Sequence, residues 1–132
     1  YLDGTPQRQA VAMARRFRDR GNEVLRRLGI QGRFYSRSIV HLYLGPVEQE
    51  PATFDFQGPS TDVTRLMAAE YEGVKTGLGL HLLERGVASF RGAMYVFSSA
   101  HTEQDVDFTL EALEKSLIAM RNEGSLPQEL VA

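Results

Sequence analysis

The sequence contains no cysteine, and only two of its 132 residues are lysines. Without cysteine, disulfide bonds, thiolate metal ligands and thiol nucleophiles are excluded. The formal net charge is -2, with both signs interspersed, so no basic stripe is available to contact a nucleic-acid backbone. No stretch approaches the roughly 18 apolar residues of a membrane span, and the N-terminus lacks the pattern of a signal peptide. We expect a cytoplasmic protein that binds neither nucleic acid nor membrane.

The length and composition are those of one ordinary globular domain, with 42% hydrophobic and 24% charged residues. We predict a single domain over residues 1–132, with flexible ends at residues 1–5 and 125–132. The first residue is Tyr1 and not Met, which we expect of a fragment of a longer protein.

Apolar residues at helical spacing predict a first helix over residues 6–28. Pro6 suits its first turn, Phe17 lies on its apolar face, and Gly29 ends it. The remaining faces carry mostly arginines with interleaved acids, which we interpret as a solvated surface rather than a docking site for an anion or a membrane.

Two further helices are predicted from capping residues and apolar spacing. The second has its N-cap among residues 60–62 and ends at Gly86. The third follows a capping box at residues 102–105 and ends at Gly124.

Strands are predicted where β-branched and aromatic residues cluster. Residues 33–44 form one strand or two, residues 87–90 are short and extended, and residues 93–97 form a buried strand. Residues 47–59 have no sustained period and are predicted to form a loop. The order of elements predicts an α+β two-layer sandwich, with three helices on one face of a small, mostly antiparallel sheet.

Neither the histidines nor the lysines form a recognisable reactive group. No two of His41, His81 and His101 have the spacing of metal ligands. Lys75 and Lys115 are predicted on exposed sides of helices, so neither resembles the desolvated lysine that Schiff-base chemistry requires. We therefore predict no metal site and no covalent pyridoxal chemistry within this chain.

Ser98 and Ser99 stand close to His101, which raises the question of a nucleophilic serine. Neither serine lies in an elbow motif, and no third residue is identifiable to orient the histidine. We interpret the three residues as part of the exit from a strand and predict no catalytic residue in the chain.

Gly77 and Gly79 fall inside the second predicted helix, where each costs about 1 kcal/mol relative to alanine. Because they do not follow a strand, they do not form a dinucleotide-binding loop. We expect them to permit close packing against a neighbouring surface, which can be that of another domain.

Several segments share the order and spacing of one enzyme family. They are Leu-Leu-Glu-Arg-Gly-Val at residues 82–87, Ser-Ser-Ala-His-Thr-Glu-Gln-Asp-Val-Asp at residues 98–107, the helix at 16–28, the turn at 29–32 and the strand at 39–43. Together they resemble the closing part of class III aminotransferases, in particular the branch that contains glutamate-1-semialdehyde 2,1-aminomutase. The shared motifs include no catalytic residue.

The resemblance implies a pyridoxal-phosphate enzyme of fold type I that moves an amino group between molecules or, as an aminomutase, between carbon atoms. In such enzymes, which are expected to be homodimers, a large domain holds the cofactor and its lysine, and a small C-terminal domain closes over the substrate. This chain then corresponds to the small domain, with the large domain as its partner, no cofactor of its own and no activity alone. A free-standing, non-enzymatic interaction module of the same fold remains the alternative.

The resemblance also implies which residues face the substrate. Many class III members bind the substrate carboxylate through an arginine on the last strand, and the corresponding residue here is Tyr95. Some members of the aminomutase branch that act on β-amino acids have an arginine just before that strand, where this chain has Arg91. The expected substrate-binding residues are Arg91, Tyr95 and, at the exit of the strand, Ser98 and His101.

Overall fold

The computed structural model describes residues 4–37, 39–46 and 71–131. In chain order its elements are helix α1 (Thr5–Leu28), strands β1 (Gly32–Tyr35) and β2 (Ile39–Leu44), helix α2 (Glu72–Glu84), strand β3 (Met94–Val96), helix α3 (Glu103–Asn122) and a short 3-10 helix (Gln128–Leu130). The predicted loop at 47–59 and the predicted N-cap at 60–62 lie outside the described residues. The predicted α+β fold with three helices is confirmed.

The three strands form one antiparallel sheet with β2 in the middle. Phe34 of β1 lies opposite Leu42, and Val40 lies opposite Tyr95 of β3. Because successive side chains of a strand point to opposite faces, these four residues share one face of the sheet, and all four are buried in the core. The prediction of a small, mostly antiparallel sheet is confirmed.

The structure decides between the two alternatives left open for residues 33–44. They form two strands, and the turn between them contains Ser36 with a left-handed φ of 85°. Residues 87–90 form no strand, and Phe90 makes only an isolated bridge with Met94. The predicted short strand at 87–90 is therefore reduced to this one bridge, which closes the turn that leads into β3.

Aromatic rings fix the position of β3 against α1. The ring centroid of Phe17 lies 5.1 Å from that of Phe34, 4.9 Å from that of Tyr95 and 5.3 Å from that of Phe97. Full burial of a side chain such as Phe stabilises the fold by about 1.5–3 kcal/mol, and the offset and edge-on ring pairs add to this. Packing in the core therefore fixes both ends of β3, where the predicted site residues lie.

Helix α1 ends as the sequence predicts. Gly29 adopts a left-handed conformation with φ 72°, and the Ile30 N–H donates to the Leu25 carbonyl at 2.9 Å. This is the hydrogen-bond pattern of a Schellman-type C-cap, which favours glycine at the left-handed position.

The prediction of a solvated arginine surface on α1 is wrong for Arg18, which is buried. Its guanidinium donates to Asp19 Oδ1 at 2.9 Å and to the Ser36 carbonyl at 3.3 Å. A buried charge requires partners of this kind, and the β1–β2 turn that supplies one of them was not evident from the helix alone.

Arg16 links α1 to α3 through a bidentate ion pair. Its Nε and Nη2 atoms each donate to one carboxylate oxygen of Asp107 at 3.1 Å. The hydrogen bond to Asp107 raises the pKa of Arg16, and the same bond lowers the pKa of Asp107. The arginines of α1 therefore contribute to helix packing as well as to solvation.

Residues 126–131, which are expected to belong to a flexible end, include the buried side chains of Leu126 and Leu130. Leu130 is only 1% exposed, and its carbonyl accepts the Gln31 N–H at 2.6 Å. Val131 forms a bridge with Ile30. The apolar side chains of this segment complete the core beside the end of α1, so it is ordered by burial. At the other end, Thr5 already belongs to α1, and residues 1–3 lie outside the described residues.

Candidate functional site

A tight turn precedes β3. The Ala93 N–H donates to the Phe90 carbonyl at 3.0 Å, and φ is 58° at Arg91 and 68° at Gly92. Two consecutive left-handed residues closed by such a bond are typical of a type I′ turn. Because the Cβ of an L-residue crowds the backbone at positive φ, Arg91 adopts this conformation only where its surroundings hold it.

The Arg91 side chain is exposed, with its guanidinium carbon 5.9 Å from the centroid of the Phe90 ring. No carboxylate in the described part of the chain pairs with it. An unpaired guanidinium beside an aromatic face offers a planar fork of N–H donors, a geometry that matches a carboxylate.

Tyr95 lies inside the domain. Its side chain is 3% exposed, and its hydroxyl donates to the Gly92 carbonyl at 2.8 Å. Burial raises the pKa of the phenol, so the hydroxyl keeps its proton. The hydroxyl of Tyr95 is therefore directed to the backbone of the turn that carries Arg91.

Ser98 and His101 meet at the other end of β3. The Ser98 N–H donates to His101 Nδ1 at 2.8 Å, and the Ser98 Oγ lies 3.3 Å from the same nitrogen. The single lone pair of Nδ1 is occupied by the amide, so the neutral ring carries its proton on Nε2 and has no free base at Nδ1 for the hydroxyl. The contact stabilises a turn, also closed by an Ala100 N–H bond to Ser98 Oγ, and is not a nucleophile with its base.

A cavity of about 340 Å³ lies beside this turn, and His101, Tyr95, Asp105 and Thr109 are among its lining residues. Asp105 belongs to the predicted capping box, which is confirmed. It accepts the Thr102 N–H at 2.8 Å, and its own N–H donates to Thr102 Oγ1 at 3.2 Å. The hydrogen bond from the Thr102 backbone is the main cause that lowers the pKa of Asp105.

The four predicted substrate-binding residues do not form a single cluster. Arg91 lies before β3, and Ser98 and His101 lie after it. A strand rises about 3.3 Å per residue, so the first and last residues of β3 lie about 7 Å apart and the residues that flank the strand lie farther apart. The structure thus has two groups of polar residues, with the buried Tyr95 between them.

Two further residues, Ser89 and Gly79, support the Arg91 turn. The Ser89 Oγ accepts the Gly92 N–H at 2.9 Å. A Cβ built on Gly79 would lie 2.8 Å from the Gly92 nitrogen, so α2 approaches the turn as closely as glycine permits. The sequence signals of this arrangement are the glycine at position 79 within a helix and a serine three residues before the glycine of an Arg-Gly pair.

The close packing predicted for the two helical glycines is confirmed for Gly79, but its neighbour is the Arg91–Gly92 turn of the same chain. A Cβ on Gly77 would lie 3.4 Å from Met120 Cε, which also belongs to this chain. The suggestion that these two glycines face another domain is therefore wrong. The glycines indicate a close approach, but the sequence does not identify the partner because the contact is formed by backbone atoms.

Lys75 is only 8% exposed, so its predicted exposed position is wrong. Burial lowers its pKa, and the nearby Glu72 partly opposes that change. The pKa of His41 is lowered by its own burial and, to a smaller extent, by the charge of Lys75. The backbone of Lys75 lies against Gly92, which shows that this face of α2 packs inward.

The described residues do not fit pyridoxal phosphate, which requires an accessible lysine and a cradle for its phosphate. Lys75 is only 8% exposed as a residue, and Lys115 is exposed on α3 in an ion pair with Glu111 at 2.8 Å. The first turns of α2 and α3 carry Glu72 and Asp105, and carboxylates at helix N-termini repel a phosphate group. These residues therefore provide no cofactor site.

Two other classes of site are absent from the described residues. Over 4–37, 39–46 and 71–131, no group of three or more His, Asp or Glu side chains could hold a metal ion. His81 instead contacts Glu123, with 2.9 Å between Nε2 and the carboxylate. No helix in the same ranges is long and apolar enough to cross a membrane.

The fold matches part of two aminotransferases. An omega-transaminase from Sphaerobacter thermophilus aligns with 86% of this chain at a TM-score of 0.62 and 18% identity. A β-phenylalanine aminotransferase from Variovorax paradoxus aligns with 88% of this chain at a TM-score of 0.66 and 19% identity. The chain spans only 24% of the length of each. No model of a known protein family and no curated protein sequence matches the chain.

Proposed function

We propose that this chain is the C-terminal small domain of a pyridoxal-phosphate-dependent aminotransferase and that it closes over the substrate. The observation that carries the proposal is the backbone match to the two aminotransferases, which includes most of this chain but about a quarter of theirs. The rest of the enzyme supplies the cofactor, its lysine and the dimer contacts. This division agrees with the poor fit of the described residues to the cofactor.

The reaction is the transfer of an amino group. The two neighbours are a transaminase and an aminotransferase, which favours transfer between molecules. The sequence also resembles the glutamate-1-semialdehyde aminomutase branch, in which the amino group moves within one molecule. We propose the intermolecular reaction, and product analysis distinguishes it from the aminomutase reaction.

Arg91 is proposed to bind the carboxylate of the amino substrate. Its guanidinium is exposed, lacks a carboxylate partner among the described residues and is carried by a turn whose backbone is held on both sides. In a bidentate pair, two N–H groups of the guanidinium donate in parallel to the two oxygens of the carboxylate. The likeness to a β-phenylalanine aminotransferase favours a β-amino acid as the substrate.

Ser98 and His101 are proposed to contact the opposite end of the substrate. They follow β3, whereas Arg91 precedes it, and His101 borders the cavity of about 340 Å³. With Nδ1 occupied by the Ser98 amide, His101 presents an Nε2–H donor. Tyr95 takes part only indirectly, through its bond to the Gly92 carbonyl.

Apolar side chains near the Arg91 turn support docking of the absent cofactor domain. Leu80 and Leu83 of α2 are 64% and 60% exposed, and Phe90 of the turn is 61% exposed. Large exposed apolar residues that lie close together often mark an interaction surface. The occupant we propose is the remaining part of the same polypeptide, because the chain spans only 24% of each structural neighbour.

The proposal is tested by replacing Arg91 in the full-length enzyme and measuring kinetics with β-phenylalanine as the amino donor. Loss of charge-assisted hydrogen bonds in Arg91→Ala is expected to raise KM about 10- to 100-fold. Arg91→Lys keeps the charge without the fork and is expected to give a smaller rise. Arg26→Ala, at an exposed position of α1, is the control. An unchanged KM in Arg91→Ala would contradict the assignment.

A further inference from the structure

In the turn that carries Arg91, side chains bind both the backbone N–H and the backbone carbonyl of Gly92. The N–H of Gly92 donates to Ser89 Oγ at 2.9 Å, and its carbonyl accepts the Tyr95 hydroxyl at 2.8 Å. Tyr95 is itself held by the aromatic core, with its ring centroid 4.9 Å from that of Phe17. The peptide groups next to Arg91 are thus connected to the centre of the domain.

Helix α2 supports the same turn from outside. A Cβ on Gly79 would lie 2.8 Å from the Gly92 nitrogen and 3.1 Å from the Arg91 carbonyl carbon, and both are backbone atoms. A Cβ on Gly92 would collide with the carbonyl oxygen of Lys75. Because backbone atoms cannot move aside as a flexible side chain can, any side chain at position 79 must displace the turn.

These contacts hold Arg91 in its left-handed conformation. Arginine adopts φ 58° only at a conformational cost, and such strain persists where the surrounding structure determines it. A fixed backbone at Arg91 reduces the number of orientations available to its guanidinium. Fewer orientations mean less entropy lost when a carboxylate binds.

We propose that Gly79, Ser89 and Tyr95 are positioning residues that act on substrate binding through Arg91. This inference rests on the proposed role of Arg91 and adds residues that do not themselves touch the substrate. It predicts that changing any of the three weakens binding of a carboxylate only while the arginine is present.

The first test uses hydrogen exchange in the 132-residue chain. In Ser89→Ala and Tyr95→Phe, which both preserve the side-chain shape, the Gly92 amide is expected to exchange about two- to tenfold faster than in the wild type. Gly77→Ala is the matched control for Gly79→Ala, since its Cβ meets only the flexible end of Met120. An unchanged Gly92 exchange rate in both isosteric variants would overturn the inference.

The second test is a double-mutant cycle in the full-length enzyme with β-phenylalanine as the amino donor. Tyr95→Phe and Gly79→Ala are each expected to raise KM about two- to tenfold, with kcat nearly unchanged. In an Arg91→Ala background the same changes are expected to have no further effect on KM, because residues that act through one group are not additive.

The outcomes separate the two proposals. If Arg91→Ala raises KM but Tyr95→Phe and Gly79→Ala leave it at the wild-type value, only the positioning role is overturned. Effects that multiply in the double variants would indicate a general structural role and would also overturn it. If Arg91→Ala itself leaves KM unchanged, the role of Arg91 in substrate binding is overturned.

Discussion

Asn22 holds the free edge of the sheet, and its replacement is expected to cost much of the stability. The side chain lies buried on α1, and its Oδ1 accepts the Phe34 N–H at 2.6 Å while its Nδ2 donates to the Phe34 carbonyl at 3.0 Å. Asn22→Ala removes both bonds and leaves two buried backbone groups without partners, at about 1–3 kcal/mol each. The higher helix propensity of alanine offsets less than about 1 kcal/mol. We therefore expect a loss of about 2–5 kcal/mol, against roughly 5–15 kcal/mol for a whole domain.

Urea unfolding followed by circular dichroism measures this loss as a shift of the midpoint at constant slope. Glu23→Ala, at the adjacent exposed position of α1, is the matched control and is expected to change the unfolding free energy by less than about 0.5 kcal/mol. A loss below about 1 kcal/mol in Asn22→Ala would refute the reasoning, because it would mean that water replaces both bonds at no cost.

Three further predictions concern a cap and two titratable side chains. Thr102→Ala breaks the capping box of α3 and is expected to lower the unfolding free energy by about 1 kcal/mol in a urea titration; an unchanged midpoint would contradict it. The pKa of His41 is lowered below 6.5 by burial, so the histidine binds a proton more readily in the unfolded state and the unfolding free energy falls as the pH drops below 6.5. In His41→Asn the unfolding free energy should fall less steeply with pH. Parallel pH profiles of the two proteins would refute this. Burial also lowers the pKa of Lys75 below 10.5, so the unfolding free energy of the wild type should rise as the pH approaches 10.5. Because Lys75→Met removes the cost of burying this charge, the variant should unfold at an equal or higher urea concentration than the wild type at pH 7. Lys115→Met is the exposed control, and a loss above about 1 kcal/mol in Lys75→Met alone would contradict that account.

The helices and strands could be predicted from the sequence because their signals are local. The spacing of apolar residues around Phe17 and the capping residues from Thr102 to Asp105 specify α1 and α3 with little help from the rest of the chain. The length and residue types of the segment 93–97 do the same for the strand that contains Tyr95. These elements lie within a few residues of their predicted limits.

The errors arise where long-range contacts decide. Lys75 is buried because α2 lies against a turn that follows it in the sequence, and Arg18 is buried because its partner Ser36 lies on a separate hairpin. Leu130 is ordered because it fills a gap beside β1. No periodicity within a single segment contains this information.

The candidate site was predictable in part for the same reason. Arg91 could be identified as the residue just before a strand, and the contact between Ser98 and His101 follows from their spacing in a turn. The order of the residues already placed the two groups before and after β3, but the bond from the Tyr95 hydroxyl to the Gly92 carbonyl depends on side-chain orientation. The glycine at position 79 indicates a close approach, but the sequence does not show that its partner is the backbone of the Arg91–Gly92 turn.

The central claim is that this chain is one part of an aminotransferase whose cofactor is bound elsewhere. The most direct measurement compares pyridoxal phosphate binding and amino-group transfer from β-phenylalanine to a 2-oxo acid for the 132-residue chain and for the full-length protein that contains it. The account predicts a stoichiometric cofactor absorbance band and transfer activity only in the full-length protein. A stoichiometric band on the 132-residue chain, or a full-length protein that neither binds the cofactor nor transfers amino groups, would contradict it.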